Sequence, residues 1–301
     1  MTVDKVATRV KASVPLNSPA FSVYDHYMSP TESETTSRQG AFFDLDKTII
    51  ARSSVLAFAT PFARAGLMSK KTLLKSVYSQ LLFSTSSADH DKTEKLRAQL
   101  SEMVAGWPID EVKEIVNETL HKLIEPIIFE EALDLIEDHQ DAGHEVVIVS
   151  SSGEEVVRPI AALLGVKSVI ATRMHSEDGK YTGEIEYYAF GQAKADAIIQ
   201  FASENNIDLA KSFAYSDSMT DVPMLSCVGK AHAVNPDKEL RRLAIEKGWK
   251  VLTFKEPISL QDRLESVPKK SLVIAGAGVA IMGILAVAQG VRKKKVRTPT
   301  S

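Results

Sequence analysis

From position 40 the chain switches from a polar, aperiodic tail to a short apolar run, Ala41-Phe42-Phe43, that ends on Asp44. A run of that length closing on acids predicts a buried strand feeding a functional loop. Over 53–124 the apolar positions take helical spacing, with Leu73, Leu74, Val77, Leu81 and Leu82 in one stripe and Val112, Ile115, Val116 and Leu120 in another. Pro108 followed by Asp110 and Glu111 marks a helix start, with acids at the positive end of its dipole. Helices are then predicted at 130–140, 152–164, 192–204 and 240–247, with a helical turn at 221–226. Strands are predicted between them at 145–149, 168–172, 181–187, 212–215, 231–234 and 249–254. Ser152 with Glu155 reads as a capping box opening its helix.

Alternation of this kind predicts an α/β fold, a mostly parallel sheet covered on both faces with its ligand at the carboxyl ends of the strands. The helical block interrupts the sheet after its first strand and is expected to cap that site. The expected parts are a disordered tail at 1–39, a core at 40–52 and 127–255, a helical cap at 53–126 and a linker at 256–270. The tail contains the polar stretch Ser-Pro-Thr-Glu-Ser-Glu-Thr-Thr-Ser-Arg at 29–38, and no apolar run like a secretory signal occurs in the first thirty residues.

The stretch 272–291 holds twenty residues without a charge, flanked by Lys269-Lys270 and by Arg292, three lysines and Arg297. That length suffices to span a bilayer core of about 30 Å, so 271–291 is expected to be a transmembrane helix followed by a basic tail at 292–301. Its Gly276-Ala277-Gly278 lacks the strand and the later glycine of a dinucleotide fingerprint. The absent signal places the body in the cytoplasm, while the denser basic cluster after the helix favours its own end there. A single straight span does not satisfy both, and the cytoplasmic body is the expectation adopted.

Composition is that of a globular chain: 301 residues, 44% hydrophobic and 25% charged. One cysteine, Cys227, excludes a disulfide framework and a cysteine-rich zinc site. The net charge of −3 hides an asymmetry, because residues 269–301 carry seven Lys or Arg and no acid, leaving −10 on the first 268. An acidic body is a poor match for nucleic acid, whereas a basic tail suits an anionic surface. Trp107 and Trp249 read as packing residues, and His144-Glu145 lacks the second histidine of a zinc-protease helix.

The chemistry gathers at strand ends. Asp44 and Asp46 stand two apart, so in extended chain both carboxylates face one side, where their repulsion calls for a cation or a proton. An Asp-rich turn accounts for that pair equally well when it is taken alone. Ser150 at the mouth of the second strand, Lys194 early in the helix after Gly191, and Asp217 and Asp221 after the strand at 212–215 repeat the pattern. Capping accounts for the hydroxyls and acids one by one, and solvation for the lysine. One shared site accounts for all of them together.

Phe42-Phe43-Asp44-Leu45-Asp46-Lys47-Thr48, then Val149-Ser150-Ser151-Ser152, Gly191-Gln192-Ala193-Lys194 and Ala214-Tyr215-Ser216-Asp217-Ser218-Met219-Thr220-Asp221, followed by Val234-Asn235-Pro236-Asp237, resemble the haloacid dehalogenase superfamily of phosphohydrolases. The likeness covers about 40–255 and is nearest the phosphoserine-phosphatase-like branch (subfamily IB). It implies a Rossmann-like core with a helical cap inserted after the first motif. It further implies that Asp44 is a nucleophile forming an aspartyl-phosphate. Asp46 is implied as acid for the leaving group and then base for water. Thr48 and Ser150 are implied as phosphoryl ligands, Lys194 as the charge-offsetting cation, Asp217 as a Mg²⁺ ligand with Asp44 and the Asp46 carbonyl, and Asp221 as their support. Two departures stand out: Ser216 replaces the usual glycine before Asp217, and Ser53, preceded by Arg52, occupies the place of a glutamate that binds the amino group of phosphoserine. An uncharged or anionic leaving group fits that pair better than phosphoserine.

The expected function is a Mg²⁺-dependent phosphomonoester phosphatase tethered at its C-terminus, acting on a phosphorylated small molecule or a lipid-linked phosphate. A phosphotransferase would use the same intermediate with an acceptor other than water. A membrane-anchored interaction module without turnover is the reading from another class, and the complete set of acids, hydroxyls and lysine argues against it.

Overall fold

The strand preceding Asp44 consists of four residues with no polar side chain, and all are buried: β1, Gly40–Phe43. The computed structural model describes residues 37–68 and 90–255. The further strands are β2 (Glu145–Gly153), β3 (Ser168–Glu177), β4 (Lys180–Tyr187), β5 (Phe213–Ser216), β6 (Lys230–Val234) and β7 (Lys250–Leu252). They form one sheet in the order β4-β3-β2-β1-β5-β6-β7. All neighbours pair in parallel except β3 and β4. That exception is a hairpin whose two loop residues, Asp178 (φ 49°) and Gly179 (φ 75°), both take the left-handed conformation a two-residue turn demands. Strand order reverses at β1, which pairs with β2 on one side and β5 on the other, so the carboxyl ends of these three strands meet at a switch point.

The described helices are α1 (Ser54–Arg64), α2 (His90–Val104), α3 (Ile109–Leu123), α4 (Glu130–Asp141), α5 (Glu154–Leu163), α6 (Gln192–Glu204), α7 (Val222–Ser226) and α8 (Lys238–Lys247). Alternation along the strands sends neighbouring side chains to opposite faces. Phe42, Val147, Val149 and Ala214 pack against Ile198, Met224, Leu225 and Leu240 of α6, α7 and α8. Ala41, Phe43, Val146, Ile148 and Tyr215 belong to a second core with α4 and α5, continuous with Phe58, Phe62, Trp107, Val116 and Leu120. Each fully buried side chain of this size contributes roughly 1.5–3 kcal/mol. Trp107 packs against Phe62 at 5.2 Å between ring centres, and Trp249 against the first core, as expected of packing residues.

Backbone bonds join the two ends of the helical segment between β1 and β2 to each other and its α2–α3 junction to the β3–β4 hairpin. Ile50 bridges Ile128 antiparallel, with Ala51 N–H donating to the Ile127 carbonyl at 2.7 Å and Phe129 N–H to that of Ile49 at 3.0 Å. At the far end, Gly106 N–H donates to the Tyr181 carbonyl (2.8 Å), Tyr181 N–H to Trp107 (3.0 Å) and Ile109 N–H to Gly179 (3.0 Å), so the β3–β4 hairpin holds the α2–α3 junction. The Asp110 and Glu111 start signal is realised in the first turn of α3.

Several boundaries differ from the sequence reading. The strand expected to end at Val149 runs to Gly153, and the helix expected from Ser152 begins at Glu154. The cause is a bulge: Ser150 pairs with Ala171 and Gly153 with Thr172, so two β2 residues fit between consecutive β3 residues. Gly153 therefore caps α5 without a side-chain bond, and no capping box forms at Ser152. β3 continues past Thr172 to Glu177 because β4 offers it a partner. The last strand is shorter than 249–254. Ser37 to Gln39 are not a disordered end. Arg38 bridges Ile207, its N–H donates to the Asn206 carbonyl at 3.1 Å, and its guanidinium meets Glu145 at 2.8 Å. The stripe at 73–82, the rest of the tail and everything from 256 on, including the expected transmembrane helix at 271–291, lie outside the described residues. Among the described residues no helix is long and apolar enough to cross a membrane.

Candidate active site

Where β1 ends, the chain turns sharply. The Leu45 carbonyl accepts from Ile49 (2.9 Å), Ile50 (3.1 Å) and Thr48 (3.4 Å), and Lys47 takes φ 62° to allow it. A non-glycine residue there costs on the order of 1 kcal/mol, strain of the kind held at functional loops. The turn leaves Asp44 buried at the strand end and Asp46 half-buried beside it.

Lys194, 3% exposed on the first turn of α6, reaches across to that point. Its Nζ donates to Asp44 Oδ1 at 2.7 Å and to Asp221 Oδ2 at 2.8 Å. Ser216 Oγ also donates to Asp221 Oδ2, at 2.7 Å. The serine in the usual glycine position thus ends β5 in ordinary strand geometry and holds the supporting acid. Thr48, fully buried, donates to Asp44 Oδ2 at a long 3.5 Å and accepts from Asp217 N–H at 3.1 Å. One hydroxyl so joins the first and last acidic loops, and its single proton is already directed at Asp44. The cap of the short turn after Asp217 is Ser218, which accepts from Thr220 N–H, and not Asp217 or Thr220. Ser150 is buried, and its Oγ accepts from Ser152 N–H at 3.2 Å, leaving its own proton to give.

Charge is unbalanced here. Burial pushes the Asp44 carboxyl well above the usual range, Lys194 opposes the shift, and Asp221 and Asp217 add to it. Burial likewise raises Asp217 to about 7, offset by the exposed Lys47 and reinforced by Asp221. Asp46 is raised by burial and lowered in part by hydrogen bonds from Ser54 and Ser53. Burial disfavours the charge on Lys194, but Asp221 and Asp44 overcome it and hold the ammonium protonated. Four acids against one buried cation leave a surplus of negative charge among hard oxygen donors, a donor set that fits Mg²⁺. Among the described residues no three His, Cys, Asp or Glu side chains gather as a ready cage. A divalent ion here would rely on few carboxylates, main-chain oxygen and the substrate's own oxygens.

All the site residues read from the sequence, Asp44, Asp46, Thr48, Ser150, Lys194, Asp217 and Asp221, are placed at this sheet edge, and the hydrogen bonds above connect Asp44, Thr48, Lys194, Asp217 and Asp221 directly. Others had no sequence signal. Tyr215 stacks between Phe43 (4.3 Å) and His232 (4.6 Å), and its hydroxyl meets His139 Nε2 at 2.8 Å. His139 Nδ1 in turn meets His144 Nδ1 at 2.8 Å. This ladder braces the two residues that precede Asp44 and Ser216. Thr172, also buried, donates to the Ser151 carbonyl (2.8 Å) and accepts from Ala189 N–H (3.2 Å), pinning the bulge to the segment before Lys194. Ser54 N–H donates to Asp46 Oδ1 at 2.9 Å, and Ser54 Oγ lies 2.8 Å from Ser152 Oγ.

Comparison with known proteins places this geometry. The profile of the haloacid dehalogenase-like hydrolases matches residues 41–226. A Streptomyces azureus protein named for inhibition of morphological differentiation is 50% identical over 84% of this chain and 94% of its own length. A Mycobacterium tuberculosis protein named as a probable phosphatase is 49% identical over 86% of this chain and 90% of its own. A phosphoserine phosphatase of the same organism is 31% identical over 81% and 79%. Among solved structures, a substrate-bound phosphoserine phosphatase superposes with a TM-score of 0.53 at 20% identity, covering 77% of this chain and 99% of that one, a likeness of fold. With its profile match running from the strand before Asp44 to the end of α7 beyond Asp221, the chain belongs to the haloacid dehalogenase-like hydrolases and is a phosphatase of their phosphoserine-phosphatase-like branch.

Proposed function

We propose that the protein hydrolyses a phosphomonoester through a covalent phosphoryl group on Asp44, with Mg²⁺ as cofactor. The observation that carries this reading is the Lys194 ammonium bonded at 2.7 Å to a buried Asp44. A carboxylate approaches a phosphate dianion only where cations offset the repulsion. In the first step Asp44 forms the new bond to phosphorus while the bond to the leaving oxygen breaks, and Asp46 gives that oxygen a proton. In the second, Asp46 takes a proton from water, whose oxygen attacks phosphorus. The acyl phosphate breaks and Asp44 is restored. The Ser150 hydroxyl binds a phosphoryl oxygen, and Lys194 balances charge throughout. Asp44, Asp217 and the Asp46 main-chain carbonyl would hold the ion, which supplies positive charge beside the transferring group.

The substrate in this reading is a phosphorylated small molecule or lipid-linked phosphate. Ser53 stands where an ammonium-binding glutamate would, and its hydroxyl bonds Asp46, so an uncharged or anionic leaving group is favoured. The charge-free stretch at 272–291 supports a C-terminal membrane anchor, and a Mg²⁺ phosphatase with one free cysteine suits a cytoplasmic body. The deciding experiment assays a panel of phosphomonoesters with and without Mg²⁺ for the parent and Asp44→Asn. The parent is expected to require the ion and the variant to fall below a thousandth of its turnover with the fold intact. Retained turnover in a folded Asp44→Asn refutes the nucleophile. Liposome flotation of the full chain, lost on truncation after Val267, tests the anchor.

A further inference from the structure

Ser152 looks like the first residue of a capping box and is not one, because the bulge keeps it in β2. Its hydroxyl, 4% exposed, turns instead to Ser54, which is wholly buried at the start of α1, and the two oxygens stand 2.8 Å apart. Ser54 is also the residue whose N–H donates to Asp46 Oδ1 at 2.9 Å. Either hydroxyl of the pair is able to donate to the other. Ser152 N–H in turn donates to Ser150 Oγ, which leaves the Ser150 proton for a ligand. The hydrogen bonds therefore connect Ser152 through Ser54 to Asp46, with Ser150 set by the same residue.

We infer that Ser152 is a positioning residue for the general acid, acting through Ser54: it fixes the N-terminus of α1 against β2 and so aims Asp46 at the leaving oxygen. The inference rests on the proposed acid–base role of Asp46. It assigns to Ser152 a link between the phosphate-binding strand end and the helical segment.

The test compares two esters that differ in their need for an acid, p-nitrophenyl phosphate with a good leaving group and glycerol 2-phosphate with a poor one, using the full chain. Ser152→Ala is expected to lower kcat on glycerol 2-phosphate about tenfold more than on p-nitrophenyl phosphate, with KM changed less than kcat. Ser152→Thr, which keeps the hydroxyl, is expected to restore the parental ratio. Ser152→Cys, of similar size with a weak donor, reads the same selectivity if the alanine variant does not fold. Equal losses on both esters, or a parental ratio in folded Ser152→Ala or Ser152→Cys, overturn the inference. Asp46→Asn separates the two layers. If it loses glycerol 2-phosphate selectively while the Ser152 variants do not, the inference alone fails. If it keeps the parental ratio, the acid role fails and the inference with it.

Discussion

Lys194→Met removes the one buried cation of the site while keeping most of the stem volume. The ammonium is 3% exposed and bonds two buried acids, at 2.7 and 2.8 Å. Removing one partner of a buried ion pair costs about 3–5 kcal/mol, because the charge left behind is neither solvated nor paired. Here two carboxylates lose their cation, Asp221 keeping Ser216 and Asp44 keeping the long bond from Thr48, with Asp217 repelling Asp44 as well. The loss is limited by Asp44, whose carboxyl burial already holds well above the usual range. Urea unfolding in EDTA at pH 7.5 is therefore expected to show a loss of roughly 4 kcal/mol. Adding Asp221→Asn removes one orphaned charge and should return about 1–3 kcal/mol, the coupling of neighbours sharing a partner. Turnover should not return, since the charge facing the phosphate is still missing. A single variant within about 1 kcal/mol of the parent and within about tenfold of its turnover would refute the reasoning.

His139 gives a pH dependence of defined sign. Burial, then His144 and His232, lower its pKa to about 4 from 6.5. Between those values the unfolded chain binds a proton that the folded chain refuses, so stability is lost as pH falls through that window, by up to roughly 3 kcal/mol. The raised acids Asp44 and Asp217 act oppositely, so the stability difference between the parent and His139→Gln, measured by urea unfolding from pH 7.5 to 4, isolates the effect. The difference should shrink steadily toward acid, and a constant difference would contradict it. Gly229→Ala drives a methyl into the Ala210 carbonyl oxygen, so backbone must move. A cost of roughly 3 kcal/mol or more is expected, and a variant melting with the parent would contradict it.

Periodicity located the strands best where, as in β1 and the first half of β2, they are compact apolar runs, and the acids after β1 and β5 marked the functional edge. Ser152 was misread for a physical reason. A serine three before a glutamate is a local signal, and the bulge against Ala171 and Thr172 is a tertiary one that overrides it. His139, Tyr215 and His232 carry no local signature at all, since their ladder joins positions on α4, β5 and β6 that only the folded sheet brings together. Ser216 departs from the usual glycine with little consequence for geometry, and only its bond to Asp221 explains how the site uses it.

The place of β1 also governs how the chain is made. It leaves the ribosome before the other strands yet occupies the middle of the sheet, and its last partner lies 172 positions downstream, as in the bond from Gly40 to Ser212. At synthesis rates of about 5–20 residues per second, that partner follows by roughly 10–35 s. Throughout that interval Ala41-Phe42-Phe43 is an oily segment awaiting both neighbours, so nascent-chain chaperones would protect the very strand that leads into Asp44.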